Sequence, residues 1–285
     1  MYRKLCKYEF KSIARTLLPI YLAVIVVSII NGISFGLDNH FSGPESFSPQ
    51  AGSAILELMR LSVLFAYFGV MVALFVLTMI VIIQRFYKGL LCDEGYLMFT
   101  LPVKPWQLIA SKGTAALVMS IVSGITGFLS IMILMCGGVG PIEFFSTLLD
   151  PRNWSILIQQ LNEVFPKWGL YTLLYLFEGV IFTIVSGMAA LFQIYVSMSL
   201  GHLARKHRIV MSVAAYIAIS MALSFLSGAA VIFLDAIGIE SLLNPATPHG
   251  AMQILFFGGL LWEGIKLAAF FFGTERILSK KLNLE

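Results

Sequence analysis

The chain has 285 residues, of which 59% are hydrophobic and 12% are charged, and its formal net charge is +4. A soluble domain carries about 25% charged residues, so this composition excludes a soluble globular protein and indicates a membrane protein. Fifteen of the nineteen Lys and Arg residues fall in four short segments, 1–16, 84–112, 201–208 and 274–285. Because basic residues favour the cytoplasmic side of a membrane, topology explains the positive charge, and no nucleic-acid partner is predicted.

Six apolar stretches are long enough to cross a bilayer, which takes about 20 helical residues. They are 17–36, 61–83, 113–136, 169–200, 209–234 and 251–273. We predict an all-α integral membrane protein with six transmembrane helices, a single membrane domain over 1–285 and both termini in the cytoplasm. The first stretch exceeds the apolar core of a signal peptide, about 7–15 residues, so it is predicted to be a retained span. The expected location is the cell (plasma) membrane, as a multi-pass protein.

Residues 1–16 are predicted to form an amphipathic helix in the plane of the lipid headgroups. Its basic residues are spaced by three, four and four positions and share one face: Lys4, Lys7, Lys11 and Arg15. Apolar residues gather roughly opposite: Leu5, Cys6, Phe10, Ile13 and Leu17. The basic face suits anionic membrane lipid or a soluble partner; the alternative is an ordinary basic flank without a partner. Pro19 is expected to mark a turn into the first span.

The cytoplasmic loop 84–112 is long and unusually apolar. It contains seven large apolar side chains: Tyr96, Leu97, Met98, Phe99, Leu101, Val103 and Trp106. An exposed apolar patch usually marks a docking surface. Asp93 and Glu94 favour the start of a helix, and Pro102 favours its end. We therefore predict a helix of one to two turns below the transmembrane bundle, which suits transmission of motion from a soluble partner.

Three charged side chains lie well inside the predicted spans: Glu178, Glu263 and Lys266. Charge at this depth costs at least about 2.5–3.5 kcal/mol, so such groups normally face protein or water. Glu263 and Lys266 are three residues apart and are predicted to pair, either structurally or with a role in gating or substrate contact. Glu178 shares one face of span four with polar and aromatic residues: Tyr171, Tyr175, Phe182, Ser186 and Gln193. That face either lines a cavity or forms hydrogen bonds between helices.

Small residues on two spans predict close helix packing. They are Gly32 and Gly36 at the end of span one, and Ser220, Ser224 and Gly228 on span five. His202 and His207 belong to a basic inner loop and are expected to be solvated or lipid-facing.

The sequence contains no motif for catalysis, for a metal or for nucleotide binding. Its four histidines are not placed with a nucleophile and an acid, and no Cys-x-x-Cys motif occurs. We predict no catalytic residue, no metal and no cofactor. The chain also lacks a Gly-Lys dipeptide, which a P-loop requires. Any ATP hydrolysis is therefore expected from a separate chain, and this chain is predicted not to be an enzyme by itself.

The motifs of loop 84–112 resemble those of the type-two class of ATP-binding-cassette (ABC) exporter permeases, in the small bacterial six-span form. The matching segments are Glu94-Gly95-Tyr96-Leu97, Thr100-Leu101-Pro102-Val103, Ser111-Lys112 and, near the N-terminus, Lys7-Tyr8-Glu9-Phe10-Lys11. The number of spans and the placement of the loops are also similar along the whole chain.

The resemblance implies that this loop carries a coupling helix in contact with an ABC ATPase (nucleotide-binding) subunit, which would bind the ATP. The contact would involve Asp93, Glu94, Gly95, Tyr96, Phe99, Leu101 and Pro102. The resemblance also implies an N-terminal elbow helix and a second permease chain, identical or different. A pathway lined mostly by spans two and five is implied too, with a segment 238–250 that helps to close an outer gate.

The predicted function is that of the transmembrane permease subunit of an ABC exporter, which moves substrate out of the cytoplasm. A proton-coupled secondary transporter is an alternative, suggested by Glu178 and the Glu263–Lys266 pair. A membrane scaffold or sensor without transport is a third interpretation.

Overall fold

The computed structural model describes residues 2–41, 50–92, 95, 98, 103–164, 171–204, 206–236 and 248–280. The helices within these ranges are α1 (Tyr2–Phe41), α2 (Gln50–Phe86), α3 (Pro105–Val139), α4 (Pro141–Leu149), α5 (Pro151–Val164), α6 (Tyr171–His202), α7 (Arg208–Ala236) and α8 (Pro248–Lys280). A π-helical turn, Tyr87–Leu91, continues directly from α2. The described ranges contain no β-strand, so the predicted all-α class is confirmed for them.

Six helices of the described ranges are long and apolar enough to cross a membrane: α1, α2, α3, α6, α7 and α8. Their apolar segments are Tyr2–Ser34, Leu61–Leu91, Pro105–Val139, Leu174–His202, Arg208–Phe233 and Met252–Ser279. The prediction of six membrane-spanning helices in a multi-pass protein is confirmed at this level. The cytoplasmic position of both termini stays a prediction.

The turn expected at Pro19 is wrong, because α1 runs without a break from Tyr2 to Phe41. A proline inside a helix removes one backbone hydrogen bond, and membrane helices tolerate this where local adjustments satisfy the freed carbonyl group. The basic side chains predicted to share one face are all exposed: Lys4, Lys7, Lys11 and Arg15. The position of this basic face in the headgroup layer stays a prediction.

The chain divides into two compact units, each built from separate stretches of sequence. The first unit comprises Met1–Glu9, Ile83–Leu117 and Leu161–Glu285, and the second comprises Phe10–Ile82 and Val118–Gln160. Because α1, α2 and α3 each contribute to both units, neither unit is a continuous segment. The single membrane domain expected over 1–285 stays a prediction.

Paired hydroxyl groups connect α1, α2 and α3 within the second unit. Tyr21 of α1 and Thr78 of α2 both bond to the Ser123 hydroxyl of α3, at 2.7 and 2.8 Å. One level further along α3, Tyr67 of α2 bonds to the Ser130 hydroxyl at 2.7 Å. Hydrogen bonds between membrane helices contribute about 0.6–2 kcal/mol each, so these pairs fix the register of the three helices.

Glycines bring α1 and α3 into backbone contact in the second unit. A Cβ atom on Gly32 would lie 3.1 Å from the carbonyl oxygen of Ile133, and one on Gly36 would lie 2.5 Å from that of Gly137. A Cβ atom on Gly137 would collide with the backbone of Gly32. The close packing predicted for Gly32 and Gly36 is therefore confirmed.

In the first unit, α6 packs against both α7 and α8. Gln193 of α6 donates to Ser220 of α7, and Gly201 lies against Ser212 further along. Residue numbers thus rise on α6 while they fall on α7, so these two helices are antiparallel. The close packing predicted at Gly228 of α7 is not found, because no described atom lies within 4 Å of a Cβ placed there.

The helices α6 and α8 run in the same direction. Phe182 of α6 lies against Gly259 of α8, and Val196 lies against Gly273, with 3.1 and 3.3 Å between the side-chain carbon and a Cβ placed on the glycine. This parallel pairing is what a chain that crosses the bilayer at α6, α7 and α8 in succession requires.

The Gly137 contact generates a stability prediction. Gly137→Ala should lower the free energy of unfolding by about 1–3 kcal/mol, the usual cost of overpacking, because α1 and α3 must separate. Gly124→Ala on the same helix is the matched control, since nothing lies within 4 Å of its Cβ position. Thermal unfolding of the purified protein in detergent, followed by circular dichroism, measures both. Equal midpoints for the two variants would contradict the contact.

Candidate functional site

A buried carboxylate joins three helices of the first unit on both sides of the predicted coupling loop. Glu9 of α1 accepts a hydrogen bond at Oε1 from Lys112 Nζ of α3, at 2.7 Å. Its Oε2 accepts one from Arg85 Nε of α2, at 3.2 Å. The side chains of Glu9 and Lys112 are only 3% and 2% exposed, whereas that of Arg85 is 33% exposed. We call these three residues the Glu9 cluster.

The π-helical turn after α2 makes room for the Lys112 ammonium group. A Cβ atom on Gly89, in the middle of this turn, would lie 2.6 Å from Lys112 Nζ. A residue with a side chain at position 89 would therefore displace the ammonium group from Glu9. Irregular turns of this kind often mark functional sites in helices.

Aromatic rings of α6 pack against the residues that follow the two cations of the Glu9 cluster. Phe86, which follows Arg85, stacks on the buried ring of Tyr195 with 3.8 Å between centroids and 8° between planes. Phe192 packs edge-on against Tyr195 at 5.6 Å, and a Cβ on Gly113 would lie 2.6 Å from its Cζ. Helix α6 thus contacts the chain neighbours of both cations of the cluster.

Burial makes the Glu9 cluster an energetic constraint. Removing a charge from water costs several kcal/mol, and a buried pair offsets this cost only with good geometry and additional hydrogen bonds. Each oxygen of the Glu9 carboxylate has its own cationic donor. Separation of α1 from the ends of α2 and α3 would leave buried charges without their partners, so the cluster opposes that separation.

Sequence analysis identified the segments that hold Glu9, Arg85 and Lys112 but did not pair these residues. One signal was present: Glu9 is the acidic residue of the basic segment 1–16, and it shares a helical face with Ile13 and not with the exposed lysines. An acid on the apolar face of a basic helix favours an internal partner. The sequence alone does not identify that partner, because the two cations lie more than 70 positions away.

The residues of the predicted coupling helix lie almost entirely outside the described residues. This applies to Asp93, Glu94, Tyr96, Phe99, Leu101 and Pro102. Gly95 is described, is buried and donates its backbone N–H to the carbonyl oxygen of Cys92 at 2.7 Å. A Cβ on Gly95 would lie 2.6 Å from the carbonyl oxygen of Leu90, so the chain turns tightly here. The coupling helix itself stays a prediction.

The predicted pair on α8 is present, and Glu178 has a partner that sequence analysis missed. Lys266 Nζ donates to Glu263 Oε1 at 2.6 Å. Gln253 Nε2 of α8 donates to Glu178 Oε1 of α6 at 2.9 Å. Sequence periodicity finds partners on one helix only, which explains why the second contact was not predicted.

Two of the cavities along the α6–α8 interface are lined by the predicted polar face of α6. The cavity that we call the Lys266 cavity has a volume of about 370 Å³ and is bordered by Ser186, Gln193, Glu263, Lys266 and Phe270, with small residues between them. The other, of about 340 Å³, is bordered by Tyr175, Glu178 and Phe182 from α6 and by apolar residues of α8. Both interpretations of this face stay open, because Glu178 and Gln193 form hydrogen bonds to neighbouring helices and also border these cavities. Tyr171, the first member of the predicted face, lines neither of these two cavities.

The expectation of a solvated or lipid-facing ring is wrong for His202, which is only 7% exposed. Its Nε2 lies 3.4 Å from Arg208 Nη1, and its ring meets Tyr87 edge-on at 6.1 Å. Because a guanidinium group only donates hydrogen bonds, Nε2 acts as the acceptor. The turn between α6 and α7 therefore folds this ring inward, whereas His207 is exposed as predicted.

Comparison of the chain with protein-family models, with curated proteins and with solved structures finds no match. Within the described parts of the chain, no group of three or more His, Cys, Asp or Glu residues is placed to hold a metal ion. The resemblance to exporter permeases therefore depends on the sequence motifs of the loop and of the N-terminal segment.

The Glu9 cluster generates a second stability prediction. Glu9→Ala should lower the free energy of unfolding by about 3–5 kcal/mol, because it removes the carboxylate from a buried cation. The double variant Glu9→Gln/Lys112→Met should cost much less than the sum of its two single substitutions, as expected for partners in direct contact. Thermal unfolding in detergent compares the stability of the parent, of Glu9→Ala, of the two single variants and of the double variant. Lys11→Ala, at an exposed position, is the control and should stay within about 0.5 kcal/mol of the parent. Additive costs at positions 9 and 112 would contradict the pairing.

Proposed function

We propose that this protein is the transmembrane permease subunit of an ABC exporter that is driven by a separate ATPase subunit. The observation that supports this most is the Glu9 cluster. Arg85 precedes the predicted coupling segment and Lys112 follows it, and both bond to one carboxylate of α1. Because both flanks of this loop bond to the same carboxylate, a displacement of the loop moves several helices together. A coupling loop must have this property.

In the proposed mechanism, closure of the ATPase subunits displaces the segment Asp93–Pro102 and with it the ends of α2 and α3. Since Glu9 connects both ends to α1, the three helix ends move as one body. The aromatic contact of Phe86 with Tyr195 then carries the displacement to α6. Access to a central binding site alternates as the helices tilt.

The proposed setting is the cell membrane, with both termini in the cytoplasm and a second permease chain beside this one. The exposed basic side chains of α1 support this orientation, because they suit the anionic inner leaflet. ATP is bound by the partner ATPase, and this chain contributes no catalytic group.

Co-expression with P-loop ATPases from the same genome tests the proposal. Phe99→Ala should weaken copurification of the ATPase by about tenfold or more, the usual effect of removing an aromatic anchor from an interface. Glu94→Ala should act in the same direction. Glu143→Ala, which removes an exposed acid of α4, is the control for the surface charge of the chain. If none of the P-loop ATPases tested copurifies with the parent chain, the proposal is contradicted.

The Glu9 cluster should affect coupling without affecting association. Glu9→Gln/Lys112→Met is expected to retain the ATPase but to reduce its stimulation by the permease, because the flanks of the loop are no longer fastened together. ATP hydrolysis by the purified complex in nanodiscs measures this. Normal stimulation in a correctly folded double variant would contradict the role proposed for the cluster.

A proton-coupled transporter is the second candidate, supported by Glu178 and the Glu263–Lys266 pair at the two cavities. A proton-coupled transporter should admit protons into proteoliposomes that are loaded with the pH indicator pyranine, when potassium and valinomycin set a membrane potential. The Glu178→Gln variant should show a strongly reduced proton flux. The exporter predicts a flux equal to that of empty liposomes. A scaffold without transport would show neither this proton flux nor stimulation of an ATPase.

A further inference from the structure

We infer that the Lys266 cavity binds the headgroup of a zwitterionic amphiphile that carries a primary ammonium group and a phosphate or carboxylate a few ångströms apart. This assignment names a substrate class for the exporter, so its role in transport rests on the proposed function. Binding itself does not, because it is a property of this chain alone.

Both charges of the Glu263–Lys266 pair face the same cavity. Their side chains are 14% and 20% exposed, so each is accessible from the cavity. Within the described structure, one hydrogen bond joins Lys266 Nζ to Glu263 Oε1. An ammonium group has three donor hydrogens and a carboxylate has two oxygens, so donors on one side and an oxygen on the other are available to a ligand.

The amide of Gln193 provides a further acceptor at the cavity. Its Nε2 donates to the Ser220 hydroxyl of α7 at 2.8 Å, which orients the amide. Gln193 also borders the cavity, and its Oε1 atom is the acceptor that we assign to a ligand there. A primary ammonium group could be shared between this oxygen and Glu263, while an anionic group is held by Lys266.

The opposite charges of Glu263 and Lys266 favour a ligand that carries one positive and one negative group. One acid and one base give the Lys266 cavity no net charge, and a single ion at this depth would be left without compensation. Lys266 lies eight residues, or about 12 Å along the helix, before Thr274, the first residue beyond the predicted span. A zwitterion satisfies both side chains at once, and the wall formed by Phe270 and small apolar residues suits an attached apolar body.

The experiment uses the full chain in nanodiscs and its own Trp262, which lies one helical turn before Lys266. Trp106, Trp154 and Trp168 are replaced by Phe, so that fluorescence reports on Trp262 alone. Brominated phosphatidylethanolamine and brominated phosphatidylglycerol are compared at equal mole fraction as quenchers. We expect the relative binding constant of phosphatidylethanolamine to be about tenfold higher, as for one hydrogen bond to a charged group. Brominated phosphatidylcholine should bind less well, because its ammonium group has no N–H donor.

Variants of the pair decide whether the preference arises in this cavity. Glu263→Gln/Lys266→Met removes both charges while keeping the size of the side chains, and should reduce the preference to about one. The charge exchange Glu263→Lys/Lys266→Glu should retain it. Glu275→Gln/Arg276→Met is the matched control, an acid and a base on the same helix outside the cavity. Thermal unfolding establishes that each variant is folded.

Equal quenching by the two lipids in the parent chain would overturn the inference, as would a preference that survives in Glu263→Gln/Lys266→Met. Free glycerophosphoethanolamine, whose phosphodiester and ammonium charges balance, distinguishes the source of the ligand. Relief of quenching by it indicates a zwitterion taken from water, and no relief indicates a lipid headgroup taken from the bilayer. Because no ATPase is present, a positive result holds even if the exporter proposal fails. If the chain does not bind phosphatidylethanolamine but still stimulates its ATPase, the inferred ligand is wrong and the exporter proposal stands.

Discussion

The carboxylate of Glu9, shared between Lys112 and Arg85, is the contact on which the arrangement of the first unit depends. It holds the start of α1 against the end of α2 and the start of α3, with the tightest bond at 2.7 Å. Apolar surface cannot provide this constraint, because a contact between apolar helices has nearly the same free energy as a contact of either helix with lipid. A buried charge, in contrast, has few acceptable partners. The positions of these three helix ends are thereby coupled.

In the second unit, the positions of the helices are fixed by contacts of a different kind. Its helices are positioned by the hydroxyl pairs at Ser123 and Ser130, and by the close approach of Gly32 and Gly137. Neither device carries charge, which suits a region predicted to lie within the hydrocarbon. The charged contacts described above, the Glu9 cluster and the Glu263–Lys266 pair, both belong to the first unit. The two units thus position their helices with different kinds of contact.

The number and type of the helices could be predicted from sequence because hydropathy is summed over about 20 residues, and single errors do not change the result. Contacts within one helix, such as Glu263 with Lys266, follow from spacing alone. Contacts between helices did not follow: Gln253 as the partner of Glu178 and Lys112 as the partner of Glu9 require the packing of the bundle. Pro19 shows a further limit, because the surroundings of a membrane helix decide whether a proline breaks it. The burial of His202 depends in the same way on how α6 and α7 meet.

Within the first unit, α6 connects the Glu9 cluster to the Lys266 cavity. Tyr195 of α6 stacks on Phe86, while Gln193, two positions earlier, borders the cavity with Glu263 and Lys266. Residues two apart on a helix point in different directions, so one helix presents one side to the cluster and another to the cavity. Packed interiors have low compressibility and transmit strain, so a shift of α2 at Phe86 cannot leave α6 in place without breaking the stack. In the proposed exporter, a push on the coupling loop would therefore displace Gln193, one of the groups inferred to hold the cargo.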